Sequence, residues 1–386
     1  MKPRVLLFQT QAEFGGAQEI SRGLGASLEA RGYDVHHAFI YRKSENYPSA
    51  GNVFFASLER PTPLGLLGAF ARLRKHISEL QPDVVMTFQH YGNIIGAPLA
   101  KIAGVKHVVA NLNSAIAACP FWLPYADAAL GALRVYDVVV SNSAKTSEEF
   151  SLLGRVMGDR MILIDHGVEA KRSPHSKTEA RSKLSLPVDV QLLGCAGRLH
   201  HQKNQAAIIN ILPRRESLHL ALAGHGAEKD ALRRQAEALG VADRLHFLGE
   251  LTSDDVATFL ASLDVFVFPS VAESFGLAVA EAAIVGVPVV SNDLPVLREV
   301  LSVDGRSSAD FVDANDAGAL YAAVTALLDD PARAQALTSN ARRLEEHHSL
   351  ERMVGGYQRI LTNAGVGSGK DPASDLGTVD FRSHAS

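Results

Sequence analysis

The sequence predicts an α/β fold in which two doubly wound parallel sheets follow one another along the chain. Three observations carry this. Short strand-like runs alternate with helical stretches from Val5 onward, the pattern of successive βαβ units. The alternation breaks once, in EAKRSPHSKTEARSKLSLP (169–187), which is polar, charged and holds two prolines, and then it resumes. The stretch VFVFPSVAESFGLAVAEAAIVGVPVVS (265–291) condenses the pattern: a strand, a loop with Glu273, a helix crowded with small apolar residues, and a second strand. At 386 residues the chain has room for two such halves.

In the first half, strand-like runs lie at 5–9, 35–40, 53–56, 84–88, 107–110, 138–141 and 161–164, with helical stretches at 18–31, 64–80 and 94–103. Met1-Lys2-Pro3-Arg4 with the apolar run 5–8 superficially resembles a signal peptide, but Gln9 to Glu13 interrupt it, so it reads as a buried first strand. In the helix at 64–80, Arg72, Arg74, Lys75 and His76 sit beside Leu66, Leu67, Phe70 and Leu73. A peripheral membrane contact is one reading of that helix; solvated surface charges are the other. The second half repeats the alternation with strands at 191–196, 218–223, 245–248, 265–268, 287–291 and 310–312 and helices at 228–238 and 254–263, and a helical region at 331–361 closes the chain. The halves are Rossmann-like, without an internal sequence repeat. The expected organisation is a first domain at 1–170, a linker at 171–187, a second domain at 188–345, a C-terminal helix at 346–366 with packing back on the first domain as one option, and a disordered tail at 367–386 rich in Gly, Ser and Asp.

Composition narrows the function. Hydrophobic residues make up 47% and charged residues 21%, an ordinary globular balance, and the formal net charge of -4 argues against a nucleic-acid binder. Cys119 and Cys195 stand far apart with no CxxC spacing, which fits a reducing compartment rather than a disulfide scaffold or structural zinc. No run approaches the roughly 18 apolar residues of a spanning helix. The expected location is the cytoplasm, with the inner face of a membrane as the peripheral option.

Two sheets of this kind expect ligands in the cleft at the carboxyl ends of their strands. Gly15 and Gly16 follow the first strand as a glycine pair, without the GxGxxG spacing of a dinucleotide site; a ligand approach and a plain tight turn are both open. The first strand of the second half runs into GRLHHQKN (197–204), placing Arg198 and Lys203 in a loop where a guanidinium fork and an ammonium would grip a diphosphate. On the same side lie Glu273, then Ser274, Phe275, Gly276 and Leu277, and then Glu281. A helix expected to begin near Ser274 would offer free N–H groups to an anion between two acids. That combination suits a nucleotide sugar, against the plainer reading of a helix cap and a paired glutamate. No Asp-x-Asp pair and no metal-ligand spacing occurs, so no metal and no other cofactor is expected.

Taken together, Gly15-Gly16, GRLHHQKN (197–204), LAGHGAEKDAL (222–232), FLGELTSDDV (247–256) and ESFGLAVAE (273–281) resemble a retaining glycosyltransferase of family 4, with its GT-B fold of two Rossmann-like domains facing across a cleft. Glu273 and Glu281 reproduce the family's pair of glutamates with seven residues between them. The resemblance implies a first domain for the acceptor and a second for the donor, a UDP- or GDP-sugar. By the same resemblance Arg198 and Lys203 would bind the diphosphate, Glu281 the ribose, Glu273 the transferred hexose, and Ser274, Phe275, Gly276 and Leu277 the sugar and phosphates. Gly15 and Gly16 would approach the diphosphate, and Leu251 would lie by the base. It also implies a saccharide or lipid-linked acceptor in bacterial polysaccharide or lipopolysaccharide assembly, and transfer with retention, the departing phosphate taking the acceptor's proton.

Two departures from the family pattern stand out. Asn113 occupies the place of a histidine that assists at the reacting centre, and an amide does not titrate near neutrality. His90, read as a loop residue, would compensate or be structural. Asp165-His166-Gly167-Val168 stands where Asn-Gly is usual. The rival readings are a sugar-nucleotide epimerase of the same fold and a non-catalytic nucleotide-sugar-binding partner subunit.

Overall fold

A computed structural model describes residues 2–13, 15–45, 47–49, 51–153 and 160–367. The chain forms two compact units: Met1–Gly167 together with the chain from Leu350, and Val168–Ser349. Phe14 and the tail from 368 onward lie outside the described residues.

The first unit is built on seven strands, β1 (Arg4–Ala12), β2 (Asp34–Arg42), β3 (Val53–Ser57), β4 (Val84–Phe88), β5 (His107–Leu112), β6 (Val138–Ser141) and β7 (Met161–Leu163), in the order β3-β2-β1-β4-β5-β6-β7. Every pairing is parallel, with Val5 opposite Val35 on one side and Val84 on the other. The order reverses direction between β1 and β4, so the loops after these two strands flank a topological switch point, where open α/β sheets bind ligands. The connecting helices are α1 (Gly16–Ala30), α2 (Pro63–Leu80), α3 (Gln89–Ile102), α4 (Leu123–Ala132) and α5 (Ala144–Leu153). β4 is buried throughout, as a parallel strand covered on both faces must be.

α2 turns Ala69, Leu73 and Ile77 inward, and Leu66 and Phe70 pack on the same core. Its cations are partly committed to the fold: Arg72 Nε donates to the Ala56 carbonyl at 2.6 Å, and His76 stacks on Phe54 with ring centroids 3.9 Å apart. Of the apolar residues read with this helix, Leu66, Phe70 and Leu73 meet the core, whereas Leu67 is exposed. Among the described residues no helix is long and apolar enough to cross a membrane.

The second unit opens with α6 (Lys177–Lys183), inside the segment expected as a linker. A capping box between Ser176 and Glu179 starts this helix. Arg181 anchors it, almost fully buried, donating to the carbonyls of Ser262, Val188 and Val190 and pairing with Asp264 at 2.7 Å. Six parallel strands follow, β8 (Gln191–Ala196), β9 (Leu218–Ala223), β10 (Leu245–Gly249), β11 (Val265–Phe268), β12 (Val289–Asn292) and, after a short hairpin of β13 (Ser302–Val303) and β14 (Arg306–Ser307), β15 (Asp310–Val312). Their order is β10-β9-β8-β11-β12-β15, so the second switch point lies between β8 and β11. Successive side chains divide between two cores: Leu192, Phe266, Phe268 and Val289 face one, Leu193, Val265, Val267 and Val290 the other.

The helices here are α7 (Gln205–Ile209), α8 (Lys229–Ala238), α9 (Ser253–Ser262), α10 (Leu277–Ile284), α11 (Pro295–Val300), α12 (Ala317–Asp329), α13 (Pro331–Thr338) and α14 (Ala341–His347). The helical region expected at 331–361 is therefore three helices, and the last, α15 (Leu350–Asn363), belongs to the first unit. It is strongly amphipathic, burying Met353, Val354, Tyr357, Ile360 and Leu361. Tyr357 Oη donates to Asn111 Oδ1 at 2.6 Å on β5, and Arg31 pairs with Glu351.

Candidate active site

The loops after β8 and β11 meet at the switch point of the second sheet. Gly197 leaves β8 at φ 144° and hands the chain to Arg198, which is exposed, and then to a single 3-10 turn at His201–Lys203. Gln202 ties that turn to the β11 loop twice: its carbonyl accepts from Val271 N at 2.9 Å, and its Nε2 donates to the Ala272 carbonyl at 2.6 Å. The tie brings Lys203 Nζ into direct contact with Glu273 Oε1, with the ammonium also 5.4 Å from the centre of the Phe268 ring. The side chains of Lys203 and Glu273 are only 18% and 10% exposed, so each offsets part of the other's desolvation penalty. Beneath them Cys195 is held as a neutral thiol, pushed up to about 12 by burial, with Lys203 opposing and Glu273 adding to the shift.

The helix at this site begins at Leu277 rather than near Ser274. Gly276 is its N-cap at φ 91°, a left-handed conformation, and a Cβ there would meet Leu297 at 2.8 Å, so glycine is required both by conformation and by space. The first helical bond runs from Ala280 N to Gly276 O at 3.1 Å, which leaves the N–H groups of Leu277, Ala278 and Val279 with no partner inside the helix. Ser274 and Phe275 are thus loop residues, with the Phe275 ring buried edge-on against His348 at 5.1 Å. Glu281 lies in the second turn of α10, and Leu251, in the loop after β10, packs on the core by the same strand ends. Arg198, Lys203, Leu251, Glu273, Gly276 and Leu277 therefore all lie on the carboxyl edge of one parallel sheet.

The first unit holds the remaining expected residues at its own carboxyl edge. Gly15 caps α1 in an extended conformation at φ -166°, and Gly16 is the helix's first residue, with both exposed. Asn113 follows β5; its Oδ1 accepts from Gln89 N at 2.8 Å, and its Nδ2 is buried without a hydrogen-bond partner. His90 is not a loop residue. The chain enters α3 directly from β4, so His90 stands in the first turn of that helix and is 1% exposed. Its Nδ1 lies 2.7 Å from Asp127 Oδ2, a carboxylate that is itself fully buried and also accepts from Tyr136 Oη at 2.5 Å and Asn93 Nδ2 at 3.1 Å. Burial alone would pull the His90 ring down, but the Asp127 hydrogen bond and the neighbouring Cys119 sulfur outweigh it and raise it to about 9. Asp127 and Tyr136 carried no sequence signal: they lie 37 and 46 positions from His90 in ordinary apolar surroundings, and only the packing of α3 on α4 joins them. His166 is buried, with its Nε2 3.0 Å from Asn142 Nδ2.

The family described as glycosyltransferase family 4 matches residues 14–172, and that described as glycosyl transferases group 1 matches residues 176–344. A lipopolysaccharide core biosynthesis mannosyltransferase of Rhizobium meliloti is 31% identical over 231 residues, 57% of this chain and 63% of its own length. A glycogen synthase of Mycobacterium tuberculosis is 32% identical over 216 residues, 55% of this chain and 50% of its own length. The matched region thus spans between half and just under two thirds of these curated relatives. Among solved structures, Anabaena HepE in complex with UDP and glucose superposes with a TM-score of 0.81 at 19% identity, covering 94% of this chain and all of that one. WaaG, a glycosyltransferase involved in lipopolysaccharide biosynthesis, gives 0.72 at 18% identity over 95% of this chain. With one family profile on each half and GT-B proteins as its structural neighbours, the chain belongs to the group 1, family 4 glycosyltransferases.

Proposed function

We propose that this protein is a retaining glycosyltransferase that moves a hexose from a nucleotide-diphosphate sugar to a saccharide or lipid-linked acceptor in polysaccharide or lipopolysaccharide biosynthesis. The observation that carries the reading is the Lys203–Glu273 pair at the β8/β11 switch point, with Arg198 beside it and the open N-terminus of α10 next to it. Without ligand the two charges neutralise each other. A donor separates them: its diphosphate takes Lys203 and Arg198, and its sugar hydroxyls take the Glu273 carboxylate, so the pair exchanges one partner for two better ones. Leu277 and Ala278 would add backbone N–H groups to the phosphates, and Glu281 would receive the ribose hydroxyls.

In the transfer, the bond from the anomeric carbon to the phosphate oxygen breaks while the acceptor oxygen bonds to the same face. The acceptor's proton passes to the departing phosphate, whose charge Lys203, Arg198 and the α10 N-terminus stabilise, an electrostatic role that asks for no divalent ion. In the first unit Asn113, with its free Nδ2, is the group offered to a sugar hydroxyl, and His90 stands behind it as a buried positioning group. The relatives named for lipopolysaccharide core synthesis support the pathway, and UDP and GDP are the nucleotides to test first.

The test is calorimetric binding of UDP, GDP, ADP and CDP with EDTA present. One nucleotide is expected to bind, and Lys203→Ala to weaken it about 10- to 100-fold, the loss of a charge-assisted contact of about 1.5–3 kcal/mol. Binding only after a divalent ion is restored would refute the metal-free site. No binding of any nucleotide would refute the donor site itself.

A further inference from the structure

The carboxyl edge of the first sheet carries an aromatic patch that the donor site does not use. β4 and β5 pair with Phe88 opposite Asn111, so the chain leaving β4 and the chain leaving β5 emerge side by side. The first enters α3, where His90 is buried and Tyr91, the next residue, is 43% exposed. The second passes through Asn113 and a loop to Trp122, the N-cap of α4 and the only tryptophan in the chain, 44% exposed. The two rings meet edge to face, with centroids 6.2 Å apart and planes at 72°. Asn113 is tied to the same strand ends. Its Oδ1 accepts from Gln89 N, two residues before Tyr91, which fixes the amide and leaves Nδ2 as a buried donor without a partner. Phe121 and Tyr125, both largely exposed, extend the patch at the start of α4.

Charge and ring chemistry together indicate what covers this patch. Between Asn113 and Arg134 the only charged side chain is Asp127, which is fully buried, and the only Lys or Arg of α3 is Lys101, in its last turn. A surface that rests on anionic lipid needs cations at its rim, and a phosphorylated or carboxylated ligand needs them at its centre; these segments supply neither. Two amphipathic rings set at 72° instead make an open corner, an electron-rich face beside a hydroxyl and an indole N–H. A pyranose matches it. The C–H groups of one sugar face lie on the aromatic face, and the hydroxyls around the sugar's edge use the polar atoms, which a lipid chain would leave unused. We propose that Tyr91 and Trp122 form a stacking subsite for a neutral sugar ring, with Asn113 Nδ2 as a donor to one of its hydroxyls. Its role as the acceptor rests on the glycosyltransferase reading, which it narrows to a saccharide acceptor whose stacked ring carries no charge. The affinity for the sugar does not rest on that reading.

Trp122 is its own reporter, because no other tryptophan contributes to the emission. The full chain, without nucleotide, is titrated with the methyl α-glycosides of glucose, mannose and galactose up to about 100 mM, and at least one should change the Trp122 emission saturably with a midpoint of about 1–10 mM. Tyr91→Ala should weaken that binding about 2- to 10-fold, the loss of the edge-to-face partner. Trp122→Leu, followed by saturation-transfer NMR of the same glycoside, should lose the signal. Glucose 6-phosphate should bind no tighter than the best neutral glycoside. The subsite is overturned by the absence of a saturable change with all three glycosides, by tighter binding of glucose 6-phosphate, or by wild-type affinity in both variants. A blue shift of Trp122 on phosphatidylcholine vesicles, with or without phosphatidylglycerol, and no response to any glycoside would make the patch a membrane contact and overturn it too. No nucleotide enters these titrations, so nucleotide binding without sugar binding would overturn this subsite alone, and sugar binding without nucleotide binding would overturn only the donor site.

Discussion

At the residue scale, the Lys203–Glu273 and His90–Asp127 pairs do different work because their surroundings differ. Lys203 and Glu273 sit at an edge where a ligand can replace either partner, so their mutual neutralisation is provisional. His90 and Asp127 are closed in by Tyr136, Asn93 and Phe150, and Tyr136 and Asn93 add their own hydrogen bonds to the carboxylate, so the pair is fixed from inside the fold. The groups facing His90 are the Asp127 carboxylate, the Cys119 sulfur and the Tyr136 hydroxyl, whose own ionisation burial pushes far up. Because the ring's folded value of about 9 lies above its ordinary 6.5, its contribution to stability is complete below pH 6.5 and is lost as pH rises through 9. Denaturant unfolding of wild type and His90→Gln should therefore differ most near pH 6 and converge toward pH 10. A difference that is constant across that range would mean the ring is held by packing and not by charge.

At the element scale, the α10 N-terminus shows how a single backbone position sets up a site. Gly276 turns the chain at φ 91° so that the helix starts three residues later than Ser274, and the N–H groups facing the ligand edge become those of Leu277, Ala278 and Val279. Gly276→Ala places a methyl against Leu297 in a conformation alanine avoids, and it should cost more than about 1 kcal/mol in a denaturant titration. It should also weaken nucleotide binding, because the helix start shifts; unchanged stability and binding would show that the left-handed cap is dispensable. The sequence made the paired glutamates and their loop legible, since an acid in an apolar helix is conspicuous. It did not reveal the helix start, because Ser274 is a better nominal cap than glycine, whereas the observed cap is Gly276 in the left-handed conformation. His90 was misplaced for a related reason: Gln89-His90-Tyr91 has the composition of a loop, yet β4 passes into α3 with no intervening residue. Asp127 was invisible as the partner of His90, since no spacing connects the two.

At the scale of the whole molecule, the strand alternation announced both sheets, because parallel strands covered on both faces must be apolar wherever they occur. What local pattern does not encode is membership of a unit. The apolar stripe of α15 is as compatible with the second sheet, which it follows directly in sequence, as with the first, to which it returns across the whole of Val168–Ser349. Its Tyr357 bond to Asn111 and the burial of Met353, Val354, Ile360 and Leu361 decide the matter. Removing five buried side chains at about 1.5–3 kcal/mol each forfeits on the order of 10 kcal/mol, comparable to the entire stability of a domain. A chain ending at Ser349 should therefore lose the melting transition of the first unit while the second, Val168–Ser349, keeps its own and still binds nucleotide. Calorimetry with and without that nucleotide separates the two, because the ligand raises only the transition of the unit that holds it. Survival of both transitions would mean that the first sheet is stable without its last helix, and loss of both would mean that neither unit folds without the other.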